Sequence, residues 1–388
     1  MKIAGIIAEY DPFHNGHAFH IAQTRRRTGC DYVAVCMDGH FTQRGEPALF
    51  SRWNRARMAL KCGADAVFEL PTLFAVRSAD AFARGGVAIL GGLGADVLSF
   101  GCETEDLEIL RKMAELRENE PESVSDAVKT NLGLGMNHAR AWGKAVANYL
   151  GLRSDFANRP NLILATEYLR AMDALCPGME ALAIRREGDY HGDALGPFAS
   201  ASAIRGAIGR GEMAAALECV PEEARPHAVA EALHPMDDLL MDRLRRMTLR
   251  DMAALPEVSE GLEQRLFRLC RQTAGRQALL EAMKCRRYTH ARLSRLLTHA
   301  LLELTREAAD AHPLPACARL IGMRRDAGPL LRELKARARL PIVSNPTEIR
   351  DDPVFQLECR ATDLWALLHD DPALRLPGRE FTEKCGVV

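Results

Sequence analysis

Two histidines that stand three residues apart, His14 and His17, are the side chains in this sequence whose types and spacing point most directly to chemistry. Imidazoles at this spacing can donate hydrogen bonds to the oxygens of one phosphate group. Gly16 lies between them and lets the backbone come close to a ligand. The tetrapeptide His14-Asn15-Gly16-His17 therefore predicts a binding site for phosphate.

The flanking sequence predicts that this site lies at the N-terminus of a helix. Ile3, Ile6 and Ile7 form an apolar run without alternation, which is typical of a central parallel strand. Pro12 breaks the run, and helical spacing begins after Gly16, where free backbone N–H groups and the helix dipole attract anions. The four-residue pattern alone recurs by chance, and two surface histidines are the alternative. The strand, turn and helix context favours the phosphate site, because an open α/β sheet has its ligand crevice there.

Strand-like and helical segments alternate through the first half of the chain. The expected strands after the first cover residues 31–37, 66–70, 95–100 and 181–184, with helices between them and a mostly helical excursion over residues 105–150. This alternation indicates βαβ units with right-handed crossovers. The predicted fold class is therefore α/β, with a Rossmann-like parallel sheet.

The second half of the chain has a different pattern. From residue 211 onward the strand signals stop, and apolar residues at helical spacing predict helices over residues 236–250, 260–273 and 289–303. A chain of 388 residues is long enough for two domains. We expect an α/β nucleotide-binding domain over residues 1–210 and a mainly helical domain over residues 211–388.

Two further helix starts carry polar side chains suited to a ligand. Ser200 and Ser202 precede Arg205, a pattern that suits the distal phosphates of a nucleotide, although an N-cap with a surface arginine is the alternative. Asn161 follows Pro160 in a first helical turn, where it can point toward a ligand or merely cap the helix.

The loop over residues 38–47 is polar and glycine-rich, and we expect it to lie outside the core. It follows the second predicted strand, and loops at the carboxyl ends of strands often carry function. Gln43, Arg44 and Glu46 are candidates for contact with a substrate phosphate or base. A solvated loop is the alternative.

Composition limits the class of protein. The net charge of −1 argues against a strongly basic nucleic-acid coat protein but permits a local basic patch. We identify no signal peptide and no apolar run long enough to span a membrane. The eleven cysteines are scattered without a C-x-x-C pair, which favours reduced thiols and a cytoplasmic location over a disulfide framework or a zinc site.

Positive charge is concentrated in two segments of the C-terminal half. The first contains Lys284, Arg286, Arg287, Arg292 and Arg295, and the second contains Arg319, Arg324, Arg325, Arg332, Lys335, Arg337 and Arg339. Tyr288 offers a ring for base stacking within the first segment. These clusters predict a polyanionic partner, with a solvated basic helix as the alternative.

Taken together, these residues resemble the H-x-G-H nucleotidyltransferase superfamily and, within it, the tRNA(Met) cytidine acetate ligases. The matching stretches cover residues 7–20, 43–47, 100–101, 160–168, 190–191, 200–205 and 286–289, with Arg292 and Arg295. The resemblance implies a cytosolic enzyme that forms acetyl-adenylate from ATP and acetate. It further implies acetylation of the exocyclic amine of the wobble cytidine in elongator tRNA(Met), giving N4-acetylcytidine.

The resemblance also implies roles for particular residues. The implied ATP site comprises Ile7, Ala8, Glu9, Tyr10, Phe13, His14, Gly16, His17, His20, Gly101, Asn161, Arg185 and Arg186, to which the helix-start pattern adds Ser200 and Ser202. We expect His14 and His17 to stabilise charge on the phosphoryl oxygens while Mg²⁺ draws the pyrophosphate away, with no protein ligand assigned to the metal. The tRNA contacts are assigned to Arg286, Arg287, Tyr288, Arg292 and Arg295.

The sequence departs from the family pattern at three places. Asp38-Gly39-His40 stands where Ser-Gly-Asn is more common, Ser202 replaces a threonine but keeps its hydroxyl, and Asp189 replaces a glycine. Asp38, His40 and Asp189 are therefore candidates for altering the charge of the pocket and its acyl specificity.

Two other classes of function remain open from the sequence. A nucleotidyltransferase that acts on a small phosphorylated metabolite would share the first domain but would not need the basic helical region. A non-catalytic RNA-binding protein would need the basic clusters but not the paired histidines.

Overall fold

The structure is a computed structural model that describes residues 1–153, 156–186, 195–229 and 234–388. Asp189, Tyr190 and His191, which the family resemblance singles out, lie outside these ranges. The strands in the described ranges are β1 (Ile3–Ala8), β2 (Tyr32–Asp38), β3 (Ala66–Leu70), β4 (Val97–Cys102), β5 (Glu180–Arg185), β6 (Ala318–Met323), β7 (Ile342–Val343) and β8 (Gly386–Val387).

Helices fill most of the remaining chain. In the first half they are α1 (Asn15–Thr28), α2 (Arg52–Lys61), α3 (Thr72–Ala75), α4 (Ala79–Gly92), α5 (Leu107–Glu118), α6 (Glu122–Gly133), α7 (His138–Tyr149), α8 (Pro160–Leu175), α9 (Ala201–Gly209) and α10 (Met213–Glu218). In the second half they are α11 (Asp237–Arg246), α12 (Leu249–Ala253), α13 (Leu262–Leu269), α14 (Arg276–Met283), α15 (His290–Leu302), α16 (Arg306–Ala311), α17 (Gly328–Arg337), α18 (Pro353–Ala366) and α19 (Arg379–Thr382).

The five strands predicted from the first half pair in parallel in the order β5-β4-β1-β2-β3. In the register of the central pairs, Ile3 lies opposite Tyr32, and Ala4 lies opposite Val97. The chain runs from β1 to one side through β2 and β3 and then returns to the other side for β4 and β5. The α/β class with a Rossmann-like sheet is confirmed, and the strand order reverses between β1 and β4.

Helices cover both faces of the sheet because the inner strands are apolar on both faces. Ile3 and Ile7 of β1 belong to the core beneath α4 and α8, whereas Ala4 and Ile6 belong to the opposite core beneath α1 and α2. A β-carbon at Gly86 of α4 would lie 2.6 Å from the Ile7 side chain. Small residues in α4 therefore allow this helix to pack directly on the sheet.

The expectation that strands end before residue 211 is wrong. β6 pairs antiparallel with β3 and extends the sheet, and its other edge pairs with β7 and β8. The strand was missed because Arg319 and the basic residues that follow it make residues 318–339 look like a surface segment. The C-terminal helices also share the α4 core, and the division into two domains at residue 210 stays a prediction.

The predicted helix over residues 236–250 forms as two helices. α11 ends before Met247, and Thr248 begins α12 with a capping box in which Thr248 and Asp251 exchange hydrogen bonds. Side-chain bonds of this kind satisfy the backbone N–H groups of a new helix start, which interrupts the periodic pattern.

A buried cluster of charges joins the C-terminal helices to the sheet. Arg52 of α2 contacts Glu69, Glu358 and Glu380, and Arg319 of β6 lies 2.6 Å from Glu380 and 3.3 Å from Glu69. All five side chains are buried. Burial and the neighbouring Glu69 raise the pKa of Glu358 to about 8.

We expect Arg52→Met to lower the free energy of unfolding by about 3–5 kcal/mol, because the buried carboxylates lose a cation that compensates them. Urea denaturation at pH 7 measures this change. The matched control is Arg350→Met, at an exposed position, which should alter stability by less than about 0.5 kcal/mol. Equal, small effects of both substitutions would show that the cluster does not stabilise the fold.

Three of the seven cations in the second basic segment lie beside acids. Arg319 is buried in the charge cluster, Arg324 pairs with Asp326 at 2.6 Å, and Arg337 pairs with Asp96 at 3.1 Å. Arg325, Arg332, Lys335 and Arg339 are exposed, so contact between residues 319–339 and a polyanion stays a prediction.

No helix within the described ranges is both long enough and apolar enough to cross a membrane.

Candidate active site

The carboxyl ends of β1 and β4 lie side by side where the strand order reverses. Crevices of open α/β sheets form at such switch points. α1 begins just beyond β1, and residues 101–103 continue from β4 into the same region. The predicted histidines therefore lie at the ligand crevice of the sheet.

His14 and His17 hold the first turn of α1 through a reciprocal pair of hydrogen bonds. His14 is the N-cap residue, and its Nδ1 accepts a hydrogen bond from the Gly16 N–H at 3.1 Å. The Nδ1 of His17 accepts from the His14 N–H at 3.2 Å. The two rings stack with their centroids 3.7 Å apart. The spacing of the motif thus serves helix capping as well as any contact with a ligand.

These bonds fix the tautomer of both rings. A backbone N–H can only donate, so each Nδ1 must be unprotonated and each neutral ring carries its hydrogen on Nε2. Burial, reinforced by the positive charges of Arg186 and Arg205, lowers the pKa of His14 to about 3. Burial and the adjacent His14 lower the pKa of His17 well below its usual value. At neutral pH the pair offers two neutral Nε2–H donors.

The predicted free backbone N–H groups at this helix start are not present. Asn15 donates to the Cys219 carbonyl at 2.9 Å, Gly16 donates to His14, and the next two N–H groups donate to the His14 carbonyl. The segment around Cys219 closes the first turn, which the sequence did not indicate. In this arrangement the hydrogen-bond donors left for an anion are those of the imidazoles.

The lowered pKa values predict a particular response to acid. An unfolded histidine binds a proton near pH 6.5, whereas folded His14 stays neutral until about pH 3. The free energy of unfolding should therefore fall as pH is lowered below about 6.5, by up to about 1.4 kcal/mol per pH unit for each such histidine. Urea denaturation between pH 7 and 5 should give a shallower decline for His14→Gln than for the wild type. Parallel declines would contradict the lowered pKa.

Aromatic rings and a hydroxyl pair position the other residues of the motif. The Tyr10 and Phe13 rings lie 4.8 and 5.6 Å from the His17 ring, and both are buried. The single hydroxyl hydrogen of Thr24 is donated to the His20 carbonyl at 2.8 Å. In the hydrogen bond between Thr24 and Ser99 of β4, Ser99 must therefore be the donor. The Ser99 oxygen then accepts a hydrogen bond from His20 Nε2 at 3.0 Å. Burial lowers the pKa of His20 to about 4. Ser99 and Thr24 were not predicted as site residues, because a hydroxyl in an apolar strand or a helix gives no signal of its own.

The predicted serine pair lies beside the histidines. Ser200 caps α9 by accepting from the Ala203 N–H at 3.1 Å, and Ser202 is exposed. Arg205 donates to Ser202 at 3.3 Å and to the Asp11 carbonyl, and its charge acts on His14. Arg205 also lies 3.5 Å from the Asp11 carboxylate. Ser200 therefore has a capping role, and contact of Ser202 and Arg205 with an anion stays a prediction.

Asn161 and Arg186 meet at the other side of the crevice. The Asn161 Oδ1 accepts from Arg186 at 3.1 Å, and the N-cap of α8 is Arg159, so Asn161 is not the cap. Gly101 lies against the Arg186 side chain, where a β-carbon would come within 3.4 Å. Arg185 is exposed, and its N–H donates to Glu105 at 3.0 Å. The structure thus brings together Asn161, Gly101 and Arg186.

The end of β1 presents a carboxylate. Ile7 is a core residue and Ala8 is partly buried, so the next side chain, Glu9, is the first polar group beyond the strand. Its Oε1 accepts from the Gln43 N–H at 2.8 Å, and its backbone carbonyl accepts from Arg55. Burial raises the pKa of Glu9. Arg55, which no sequence pattern indicated, also bonds Asp38 and Gly39 and so ties the ends of β1 and β2 together.

The loop over residues 38–47 is not solvated, and its first five residues are buried. Gly45 has a φ of 71°, and a β-carbon there would lie 2.6 Å from the Arg295 backbone. The Gly45 carbonyl accepts from Thr298 at 2.7 Å and from Arg276 at 3.2 Å. Glycine is required because the loop crosses α15 at contact distance.

The unusual Asp38 and His40 do not change the charge of an open pocket. Both are fully buried. Asp38 pairs with Arg55 at 2.7 Å, and His40 lies between the Trp53 and Trp365 rings and bonds Thr362 at 3.0 Å. Their expected effect on the pocket is not supported, because α2 and α18 enclose them. Asp189 lies outside the described residues.

The residues assigned to tRNA contacts differ in their exposure. Arg286 and Arg287 are exposed in the segment just before α15, although Arg287 lies 3.3 Å from Glu260. Arg295 is buried and makes two bonds to Glu257, at 2.6 and 3.1 Å, which argues against a direct contact with tRNA.

Two other members of the assigned set are partly buried. Arg292 donates to the Glu257 carbonyl at 2.9 Å and lies over the Tyr288 ring, 4.9 Å from its centroid. Tyr288 donates to the Ser259 carbonyl at 3.3 Å. The partner Glu257 precedes the basic segment by almost thirty residues, so the charge pattern of that segment could not indicate the pairing.

The carboxylates near the crevice do not form a magnesium site in the described residues. Glu9 accepts from Gln43, Asp11 accepts from the Leu49 N–H at 2.7 Å, and Asp38 pairs with Arg55. A group formed by His40, Glu358 and Glu380 has the spacing of metal ligands, but Arg52 lies among these side chains. Within the part of the chain that the structure describes, these carboxylates do not offer the cage of oxygen ligands that a resident divalent cation requires.

The switch-point crevice and the paired histidines define the class of HIGH nucleotidyltransferases, whose family model matches residues 1–376. Within that class the relatives are more specific. The chain is 39% identical over 360 residues to the tRNA(Met) cytidine acetate ligase of Syntrophotalea carbinolica, covering 90% of this chain and 86% of that one. It is 34% identical over 414 residues to the ligase of the same name from Acetivibrio thermocellus, covering 99% of each. The chain belongs to the tRNA(Met) cytidine acetate ligase family.

Solved structures agree with this assignment. The crystal structure of Thermotoga maritima TmcAL bound with alpha-thio ATP superposes with a TM-score of 0.91 at 28% identity, covering 100% of this chain and 99% of that one. The apo form of the same protein gives a TM-score of 0.93 with full coverage of both chains. The similarity therefore extends over the C-terminal helices as well as the sheet.

Proposed function

We propose that this protein uses ATP to activate acetate as acetyl-adenylate and transfers the acetyl group to the wobble cytidine of elongator tRNA(Met). The observation that carries the proposal is the pair of neutral Nε2–H donors of His14 and His17 at the switch point, in a chain whose relatives are named tRNA(Met) cytidine acetate ligases.

Acetate needs activation because a carboxylate does not acylate an amine until one oxygen becomes a good leaving group. In the first step an acetate oxygen bonds to the α-phosphorus of ATP, and the bond from that phosphorus to the bridging oxygen breaks, releasing pyrophosphate. The imidazole donors stabilise negative charge on the phosphoryl oxygens. The proposal also assigns Arg186, Ser202 and Arg205 to the phosphates, because the charges of both arginines act on His14 and Ser202 bonds Arg205.

In the second step the exocyclic N4 of cytidine attacks the acetyl carbonyl carbon. The bond to the adenylate oxygen breaks, AMP leaves, and the nitrogen loses a proton. No protein nucleophile is required. Mg²⁺ would enter on the triphosphate, where it would offset phosphate charge.

The tRNA is proposed to dock on the segment that leads into α15, where Arg286 and Arg287 are exposed. Phosphate contacts by arginine suit this role. The same helix contacts the loop that hydrogen-bonds Glu9, so the proposed tRNA surface is joined to the crevice by one helix and one loop. A reaction on tRNA fits a cytoplasmic location.

Exchange of labelled pyrophosphate into ATP tests the first step. The proposal requires exchange that depends on acetate and occurs without tRNA. Exchange that is independent of acetate, or no exchange with any carboxylate, would overturn the acetyl-adenylate intermediate.

A further inference from the structure

Glu103, which follows β4, makes a contact to which the proposed reaction assigns no role. Its Oε1 accepts a hydrogen bond from the Asn161 Nδ2 at 2.9 Å. The Asn161 Oδ1 in turn accepts from Arg186 Nη1 at 3.1 Å. Both ends of the amide are therefore engaged, with a carboxylate on the donor end and a guanidinium on the acceptor end.

Arg186 lies at the same edge of the sheet as the histidines. Arg186 is anchored by its own N–H, which donates to the Cys102 carbonyl at 3.0 Å, and its side chain lies against Gly101. Gly101 lies near the carboxyl end of β4, which pairs with β1, and β1 leads directly to the start of α1. The positive charge of Arg186 also lowers the pKa of His14, His17 and His20. Arg186 thus lies at the edge of the sheet where α1 begins and where the proposed phosphates would lie.

The polarity of this arrangement is specific. A carboxylate cannot donate and a guanidinium cannot accept, so a reversed Asn161 amide would oppose both neighbours. Without Glu103 the Nδ2 group loses its acceptor, and the orientation that holds Arg186 is no longer fixed.

We propose that Glu103 is a positioning residue for the nucleotide, which fixes the Asn161 amide so that it holds Arg186 toward the phosphates. This inference rests on the proposed function, because it assumes that Arg186 meets ATP. Glu103 itself is not required to touch the substrate.

Exchanging the charged and the amide side chains tests this relay, by which we mean the contacts from Glu103 through Asn161 to Arg186. Asn161→Asp places two carboxylates together and should weaken ATP binding about tenfold or more. Adding Glu103→Gln lets the glutamine amide donate to the introduced carboxylate, which still accepts from Arg186, and it should recover most of the affinity. The double variant has the net charge of the wild type, so recovery reflects the placement of charge and not its total.

The measurements are the dissociation constant for ATP by calorimetry, KM for ATP and kcat separately in pyrophosphate exchange, and the melting temperature. The relay predicts changes in Kd and KM that the second substitution reverses, and a weaker affinity for Glu103→Ala. Additive effects in the double variant, or wild-type ATP affinity in Glu103→Ala, would overturn it. If the wild-type protein does not bind ATP or does not exchange pyrophosphate, the proposed function is wrong, and the role of Glu103 that depends on it is wrong as well.

Discussion

His17→Ala should lower the rate of acetyl-adenylate formation about a hundredfold or more. One Nε2–H donor is removed, and a donor aimed at developing charge contributes about 2.7–4 kcal/mol in the transition state. Acetate-dependent pyrophosphate exchange measures the rate. Removal of the ring also deletes the acceptor for the His14 N–H, so the effect combines a missing donor with a loosened first turn.

Two controls separate these contributions. His17→Gln keeps a side-chain N–H donor and should retain more exchange than the alanine variant. His290→Ala, at an exposed position on α15, should exchange at the wild-type rate. Unchanged exchange in a folded His17→Ala protein would refute the assigned role.

Arg286→Ala combined with Arg287→Ala should separate the two half-reactions. Removal of two exposed guanidinium groups is expected to reduce tRNA acetylation about tenfold or more at moderate salt, because a hydrogen bond to a charged group contributes about 1.5–3 kcal/mol. The salt dependence of tRNA binding should also flatten, by a slope of about 0.7 for each phosphate that is no longer neutralised on a single strand. Pyrophosphate exchange should remain, since neither side chain belongs to the proposed ATP site.

The matched control removes the same charge elsewhere. Arg111→Ala with Arg350→Ala affects two exposed arginines outside this segment and should leave both activities intact. A parallel fall in exchange and acetylation in the Arg286 and Arg287 variant, with the fold retained, would mean that the segment supports the catalytic domain instead of docking tRNA.

The central sheet was predictable because its strands are buried on both faces and their apolar runs are continuous. β6 was not, since a six-residue strand that contains Arg319 depends on Glu69 and Glu380, from two distant segments, to bury its charge. These residues can be read from the sequence, but the contacts between them form only when the chain folds.

The candidate active site shows the same difference between local features, which were predictable, and contacts between distant segments, which were not. The histidine pair and its helix start were predictable from local spacing and turn chemistry. The closure of the first turn by Cys219 and the burial of Asp38, His40 and Arg295 depend on contacts between segments far apart in the chain. For this reason the sequence identified the residues of the helix start more readily than the residues that position them, such as Arg55 and Ser99.

The central claim is tested most directly by incubating the protein with ATP, labelled acetate and bulk tRNA, followed by nuclease digestion and mass spectrometry of the labelled nucleoside. The account predicts ATP-dependent label in N4-acetylcytidine, located at the wobble position of elongator tRNA(Met). A nucleotidyltransferase for a small metabolite and a non-catalytic RNA-binding protein would both leave tRNA unlabelled, and that result would contradict the account.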